Sequence, residues 1–85
     1  RKRAASYFPI IEPILSKYQI PSDFKYLPLV ESALRGQAVS PKGAVGYWQF
    51  MPQTARELGL SVRSGHDERR DLRKSTHAAC RYLRY

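Results

Sequence analysis

The stretch Leu27-Pro28-Leu29-Val30-Glu31-Ser32-Ala33-Leu34 places an acidic residue where an amphipathic helix normally has an apolar one. At helical spacing, Glu31 shares one face with Leu27, Val30 and Leu34, because positions i, i+3, i+4 and i+7 lie on the same side of a helix. A carboxylate with such neighbours is predicted to be partly desolvated, which would raise its pKa toward the range of a general acid at neutral pH. The alternative is a structural Glu31 that reaches water or pairs with an arginine, and this stretch alone leaves that alternative open.

The length of 85 residues indicates one small domain with a modest core. Fifteen Lys and Arg against seven Asp and Glu give a net charge of +8. Such a balance indicates affinity for a polyanion, such as nucleic acid, anionic lipid or an acidic cell-wall polymer, without selecting one of them. The basic residues are dispersed, with denser groups at Arg1–Arg3 and Arg69–Lys74, so a solvated charged surface is the plain interpretation.

The sequence predicts no cofactor and no metal site. Cys80 is the only cysteine, and His66 and His77 lack partners at metal-ligand spacing. There is no apolar run long enough to span a bilayer and no signal peptide. Because the chain begins with Arg rather than Met, we expect it to be cut from a longer protein, whose missing part could carry an export signal or a membrane anchor.

Helical periodicity predicts an all-α fold, in which a few short helices surround one core. Four helices are predicted: over residues 4–18, from a Ser22 cap to about Leu34, over 52–58, and after a cap at Asp71 or Ser75. Loops are predicted over 35–46 and 61–74. Pro9 and Pro13 predict that the main part of the first helix begins near Pro9, and Pro28 predicts a kink or division of the second. The last helix keeps its apolar stripe to the end of the chain without a stop signal.

Polar and aromatic side chains cluster around residues 46–50. Gln49 offers an amide donor and acceptor, while Tyr47 and Trp48 offer flat faces, a combination typical of sugar-binding sites. Core packing of Trp48 and Phe50, and capping of backbone groups by Gln49, are alternatives that the sequence leaves open. The sequence contains no phosphate-binding loop, nucleophile elbow or Cys–His pair.

Two motifs in order resemble the lytic transglycosylases of glycoside hydrolase family 23, the Slt-type, goose-lysozyme-like domains. The first is Tyr26-Leu-Pro-Leu-Val-Glu-Ser32, in which the family's Glu-Ser pair falls on Glu31 and Ser32. The second is Gly46-Tyr-Trp-Gln-Phe-Met-Pro52, which matches the family's Gly-x-x-Gln-Phe/Leu-Met-Pro run. Residues 67–71 and 75–83 also resemble the family's next segment, so the resemblance extends over nearly the whole chain.

The resemblance implies a lysozyme-like helical domain that cleaves the β-1,4 bond between N-acetylmuramic acid and N-acetylglucosamine in peptidoglycan. The cleavage would consume no water and would leave 1,6-anhydromuramic acid ends, with Glu31 acting first as acid and then as base. One carboxylate suffices in such a mechanism because a substrate hydroxyl is the nucleophile. The expected localisation is the periplasm or cell envelope. The predicted substrate-binding residues are Ser32, Ser40, Tyr47, Gln49 and Met51.

One departure from the family pattern concerns its later Ala-Tyr-Asn motif, which this chain lacks. We therefore expect a domain truncated at its C-terminal side, weakly active or inactive in isolation and prone to self-association. The alternatives are a hydrolytic muramidase of the same fold and a glycan-binding fragment without activity. A basic helical nucleic-acid binder is disfavoured, because Arg and Lys do not line one helix face.

Overall fold

Four helices and one short hairpin form the chain in the computed structural model, which describes residues 2–84. The helices are α1 (Lys2–Lys17), α2 (Tyr26–Ser32), α3 (Pro52–Glu57) and α4 (Leu72–Leu83), and 3₁₀ turns at Ser22–Lys25 and Glu68–Arg70 precede α2 and α4. Strand β1 (Val62–Arg63) pairs antiparallel with β2 (His66–Asp67). The fold is mostly helical, as the sequence predicts, but the hairpin lies in a segment predicted to be an irregular connection.

Helix α1 runs without interruption through both of its prolines, so the prediction that its main part begins near Pro9 is wrong. A proline in a helix removes one backbone donor and leaves a carbonyl four residues earlier without its partner. The carbonyl groups that lose a donor here belong to Ala5 and Pro9. Both residues are exposed, so water can donate to these carbonyls instead. The opposite side buries Ile11 and Leu15 completely, and this packing outweighs the lost hydrogen bonds.

Helix α2 grows directly out of the 3₁₀ turn that precedes it. Ser22 is the first residue of that turn and makes no side-chain cap, so its predicted capping role is wrong. Pro28 is the third residue of α2, where its missing N–H is one of those that a first helical turn leaves unpaired in any case. The sequence predicts a kink or division between Tyr26 and Leu29, but α2 is unbroken there, and the change from 3₁₀ turn to α-helix lies earlier, between Lys25 and Tyr26.

Two consecutive left-handed residues end α2, namely Ala33 (φ 53°) and Leu34 (φ 57°). The Ala33 amide donates to the Leu29 carbonyl at 2.9 Å, which is the single bond of an αL cap, and the Leu34 amide donates to the Pro28 carbonyl at 3.2 Å. Leu34 thereby leaves the helix face predicted for it and enters the core with no exposed surface.

The local signals around α3 and α4 are confirmed. Pro52 begins α3, and Gly59, at φ 91°, follows its end in the left-handed conformation that favours glycine. The Asp71 carboxylate caps α4 by accepting a hydrogen bond of 2.8 Å from the Lys74 amide.

The core lies between α1 and α4, with the loop over residues 35–51 covering one side of it. Trp48 is 8% exposed, and its indole donates a hydrogen bond of 3.0 Å to the hydroxyl of Thr76 on α4. Phe50 is also buried, so the core-packing interpretation holds for both aromatic residues. Across residues 2–84, each helix is too short or too polar to cross a bilayer.

Candidate active site

The end of α2, the loop before α3 and the end of α4 enclose a cleft of about 260 Å³, which we name the Glu31 cleft. It brings together three residues that the sequence predicts as functional, Glu31, Gln49 and Met51. Leu27 and Tyr82 add apolar and aromatic surface that is largely open to solvent. Among the lining residues that the structure describes, Glu31 is the only carboxylate.

Glu31 lies in the last turn of α2 and is exposed. The desolvation expected from the sequence is therefore absent, and that expectation is wrong for the chain as described. The periodicity assumed one continuous apolar face, but Val30 is 80% exposed and Leu27 is 38% exposed. The third apolar neighbour, Leu34, turns away because the helix ends before it.

Gln49 has a strained backbone that its own side chain helps to hold. Its φ is 56°, in the left-handed region that costs a residue with a Cβ about 1–2 kcal/mol. The side-chain Nε2 donates to the carbonyls of Gly46 at 2.8 Å and Ala38 at 3.2 Å. The backbone-capping interpretation is therefore supported. Within the described chain no donor reaches the amide oxygen Oε1, which leaves it available to a ligand.

Two of the predicted binding residues use their hydroxyl groups inside the protein and lie outside the Glu31 cleft. Ser32 is 7% exposed, and its Oγ lies 2.8 Å from the carbonyl oxygens of both Pro28 and Tyr47. It thus ties the end of α2 to the loop that carries Gln49. Ser40 accepts a hydrogen bond of 3.0 Å from the Ala44 amide and stabilises the turn at residues 40–44.

Tyr47, also a predicted binding residue, faces a second cleft of about 320 Å³. Three arginines, Arg3, Arg35 and Arg70, line this cleft, and we name it the arginine cleft. Tyr47 packs edge to face on Tyr7 with ring centroids 5.7 Å apart. Burial is the main cause that raises the pKa of the Tyr47 phenol above its usual value.

Arg69 stabilises the loop that carries Gln49, a role that the sequence does not predict, because Arg69 belongs to the basic group Arg69–Lys74, whose plain interpretation is a solvated surface. It is only 5% exposed and binds the carboxylate of Asp67 with two hydrogen bonds, of 2.9 and 2.6 Å. Its Nη1 donates to the carbonyl of Phe50 at 3.0 Å and so holds the backbone of the residue that follows Gln49. The nearby Asp67 was the one available signal, and the hydrogen bonds from Arg69 hold the pKa of that carboxyl below its usual range.

A glycine is required at position 46 because the backbone of Arg69 approaches it closely. Its φ is 89°, and a Cβ at this position would lie 1.9 Å from the carbonyl oxygen of Arg69. Only glycine fits both the backbone conformation and the space. This gives a physical reason for the glycine that begins the second sequence motif.

The two histidines have other neighbours. The Tyr18 hydroxyl lies 2.9 Å from Nδ1 of His77, and Nε2 of His66 lies 3.5 Å from a carboxylate oxygen of Glu68. Over residues 2–84, no three His, Cys, Asp or Glu side chains are grouped so that they could hold a metal ion.

Comparisons with a family model and with known proteins point to the same family. The model of the transglycosylase SLT domain family matches residues 9–85. Membrane-bound lytic murein transglycosylase D of Escherichia coli is 40% identical over 77 residues, which are 91% of this chain and 17% of that protein, and the protein of the same name from a second Escherichia coli strain gives the same values. An Alteromonas protein whose name refers to tributyltin chloride resistance is 32% identical over 83 residues, or 98% of this chain and 40% of that protein.

The chain thus spans less than half the length of these relatives. The family match extends over nearly all of the chain and includes both of the motifs that meet at the Glu31 cleft. The chain therefore belongs to the transglycosylase SLT domain family.

Proposed function

We propose that this domain cleaves glycan strands of peptidoglycan at the β-1,4 bond between N-acetylmuramic acid and N-acetylglucosamine, with Glu31 as its catalytic residue. The observation that carries the proposal is that Glu31 and Gln49, from two separate sequence motifs, line one cleft together. The name of the Escherichia coli relatives, lytic murein transglycosylase, supports the same substrate class. Peptidoglycan would also place the protein in the periplasm or cell envelope.

The proposed reaction needs only one carboxylate. Glu31 donates its proton to the glycosidic oxygen as the bond from that oxygen to C1 of the muramyl residue breaks. It then accepts the proton of the muramyl 6-hydroxyl as this oxygen bonds to C1 and closes a 1,6-anhydro ring. Water is not consumed, since the nucleophile belongs to the substrate and is held close to C1. A cleft whose described lining contains a single acid fits this scheme better than a two-carboxylate mechanism.

Because Glu31 is exposed to water in the described chain, the bound substrate itself would contribute to the activation of this carboxylate. A glycan strand bound in the cleft would cover the carboxylate and favour its protonated form. We therefore propose that binding of the sugar, rather than the free protein, supplies the desolvation that the sequence led us to expect.

The remaining lining suits a sugar. Leu27, Met51 and Tyr82 offer exposed apolar and aromatic surface for the faces of the rings. The Oε1 oxygen of Gln49 can accept a hydrogen bond from a hydroxyl or an acetamido N–H. Ser32 is proposed to act indirectly, as a positioning residue that joins α2 to the Gln49 loop.

A hydrolytic muramidase is the second candidate, and the open position of Glu31 favours it, because water can reach the carboxylate in the free protein. The two candidates differ in their products. Anhydromuramyl ends would identify the transglycosylase, and reducing ends that have gained water would identify the hydrolase.

The test is mass spectrometry of the soluble fragments released from purified cell-wall sacculi by the protein and by Glu31→Gln. We expect the unchanged protein to release anhydromuramyl products, slowly in view of the weak activity expected for this chain, and Glu31→Gln to release them at least about a hundredfold more slowly still. Glu57→Gln is the matched control, since Glu57 is exposed on α3 and outside the Glu31 cleft. Release by Glu31→Gln at the rate of the control would overturn the assignment of Glu31.

A further inference from the structure

The arginine cleft has no role in the cleavage proposed for Glu31, yet its composition points to a ligand. Its described lining contains three guanidinium groups and no carboxylate. Tyr7 and Tyr47 supply its aromatic surface, and the cleft volume of about 320 Å³ is large enough for a small acidic group and part of the chain that carries it.

None of these arginines forms an ion pair within the described chain, in contrast to Arg69, although the charge of Arg70 helps to lower the pKa of the Asp67 carboxyl. Arg70 donates from Nη1 to the carbonyl of Gly36 at 3.2 Å and to the amide oxygen of Gln37 at 3.0 Å. Both acceptors are neutral, so they orient the guanidinium without cancelling its charge. Arg3 and Arg35 are exposed, and across residues 2–84 neither forms an ion pair.

The chemistry that matches such a cleft is a carboxylate. A guanidinium presents parallel N–H groups at the spacing of two carboxylate oxygens, and charge-assisted hydrogen bonds of this kind are about twice as strong as neutral ones. Three cations gathered in one concave site favour a single small acidic group. An extended polyanion would instead require a stripe of basic residues along one face.

The arginine cleft lies close to the Glu31 cleft. Arg35 is four residues after Glu31, so their Cα atoms are at most about 14 Å apart, and Tyr47 is two residues before Gln49, at most about 7 Å away. The hydrogen bond between the Ser32 hydroxyl and the Tyr47 carbonyl joins the two segments at 2.8 Å. A branched ligand of a few sugar and amino-acid units can reach both clefts.

We propose that the arginine cleft binds a free carboxylate of the peptide that branches from a muramyl residue, while the glycan strand occupies the Glu31 cleft. The proposal rests on the proposed function, since it assumes a peptidoglycan strand. It adds a specificity for strands that carry acidic peptides over strands without them.

The experiment compares the affinity of the protein for three glycan preparations: strands with their peptides, strands stripped of peptides by an amidase, and strands whose peptide carboxylates have been amidated. We expect the peptide-bearing strands to bind about tenfold more tightly than the other two. Arg35→Gln and Arg70→Gln should each remove this difference and leave the affinity for stripped strands unchanged. Arg73→Gln is the control, because Arg73 is also exposed, like Arg35, but lies outside the arginine cleft.

The outcomes separate this proposal from the one on which it rests. Equal binding of all three preparations would overturn the role of the arginine cleft and leave the Glu31 assignment intact, whereas no binding of stripped strands would count against both. Equal losses in all three arginine variants, or equally tight binding to phosphatidylglycerol vesicles or inorganic phosphate, would show a general response to anions and overturn the proposal. Arg35 has an exposed side chain, so its variant keeps the test valid even if Arg70→Gln fails to fold.

Discussion

The guanidinium of Arg69 binds both carboxylate oxygens of Asp67, with Nε 2.9 Å from Oδ1 and Nη2 2.6 Å from Oδ2, at a position where Arg69 is 5% exposed. A buried cation requires a counter-charge and further acceptors, which are here the carbonyls of Phe50 at 3.0 Å and Gly43 at 3.3 Å. Because Phe50 follows Gln49 directly, the ion pair fixes the backbone on which one wall of the Glu31 cleft depends.

Asp67→Asn should be strongly destabilising, because it removes the counter-charge and leaves a buried arginine unpaired. We expect a loss of about 3 kcal/mol in the free energy of unfolding, measured in urea. The double variant Asp67→Leu with Arg69→Met should lose less free energy of unfolding than Asp67→Leu alone or Arg69→Met alone. The reason is that it removes both charges together and leaves neither unpaired. Asp23→Asn, on an exposed aspartate, serves as the control. A stability for Asp67→Asn within about 0.5 kcal/mol of this control would contradict the role of the pair.

Protonation of two carboxyl groups, those of Asp67 and Glu68, should lower the free energy of unfolding at acidic pH. Arg69 lowers the pKa of Asp67, and a hydrogen bond from Lys74 is the main cause that lowers the pKa of Glu68 to about 2. For a group whose pKa is lower in the folded state, the stabilisation is complete above the unfolded pKa, about 4, and is lost as the pH falls through the folded value. We therefore expect the urea midpoint to fall between about pH 4 and pH 2.

Glu68→Gln should flatten that decline, whereas Glu57→Gln should leave it unchanged, because Glu57 is exposed on α3. Added salt should weaken the Glu68 contribution more than that of the Asp67 pair, since Lys74 is exposed and Arg69 is buried. A urea midpoint that stays constant down to pH 2 in the unchanged protein would contradict both assignments.

The parts of the fold that the sequence predicts correctly are those with local causes. Pro52, Gly59 and Asp71 mark helix ends through their own backbone or side-chain chemistry, and each is found at the predicted place. The burial of Arg69 has a distant cause, because the Phe50 carbonyl that it binds is 19 residues away along the chain. Sequence spacing carries no signal for such a contact.

The environment of Glu31 shows the limit of periodicity more directly. The spacing predicts a shared apolar face only if the helix continues to Leu34, and α2 ends at Ser32 in a left-handed turn made by Ala33. Ala33 gives little warning of such a turn, since glycine is the usual residue there. The meeting of Glu31 and Gln49 in one cleft came from the family resemblance and not from spacing.

Cys80 should be unreactive in the folded protein. It has no exposed surface, and burial raises the pKa of its thiol to about 11, so very little thiolate forms at pH 8. We expect labelling by iodoacetamide to be at least about a hundredfold slower than in denaturant and to depend on opening of α4. The rate in 6 M urea is the internal control. Labelling of the folded chain as fast as that of the denatured chain would show that α4 does not pack as described.

Gln49 offers a way to separate backbone strain from ligand contact, by comparing Gln49→Ala with Gln49→Gly. Both variants lose the side-chain amide, so both should bind peptidoglycan strands more weakly and to a similar extent. They differ in the backbone, because glycine adopts a φ of 56° without the cost that alanine pays. We expect Gln49→Gly to be more stable than Gln49→Ala by about 1 kcal/mol in urea unfolding.

The matched control is Gln53→Ala, which removes an exposed amide from α3 that bonds only to Glu57 in the described chain. If both Gln49 variants bound strands as well as this control while losing stability, the amide would serve the loop alone, through its bonds to the Ala38 and Gly46 carbonyls. If Gln49→Gly recovered binding that Gln49→Ala lost, the loop conformation rather than the amide would determine affinity. Only a loss of binding common to both, with the stability difference preserved, agrees with a substrate contact by Gln49.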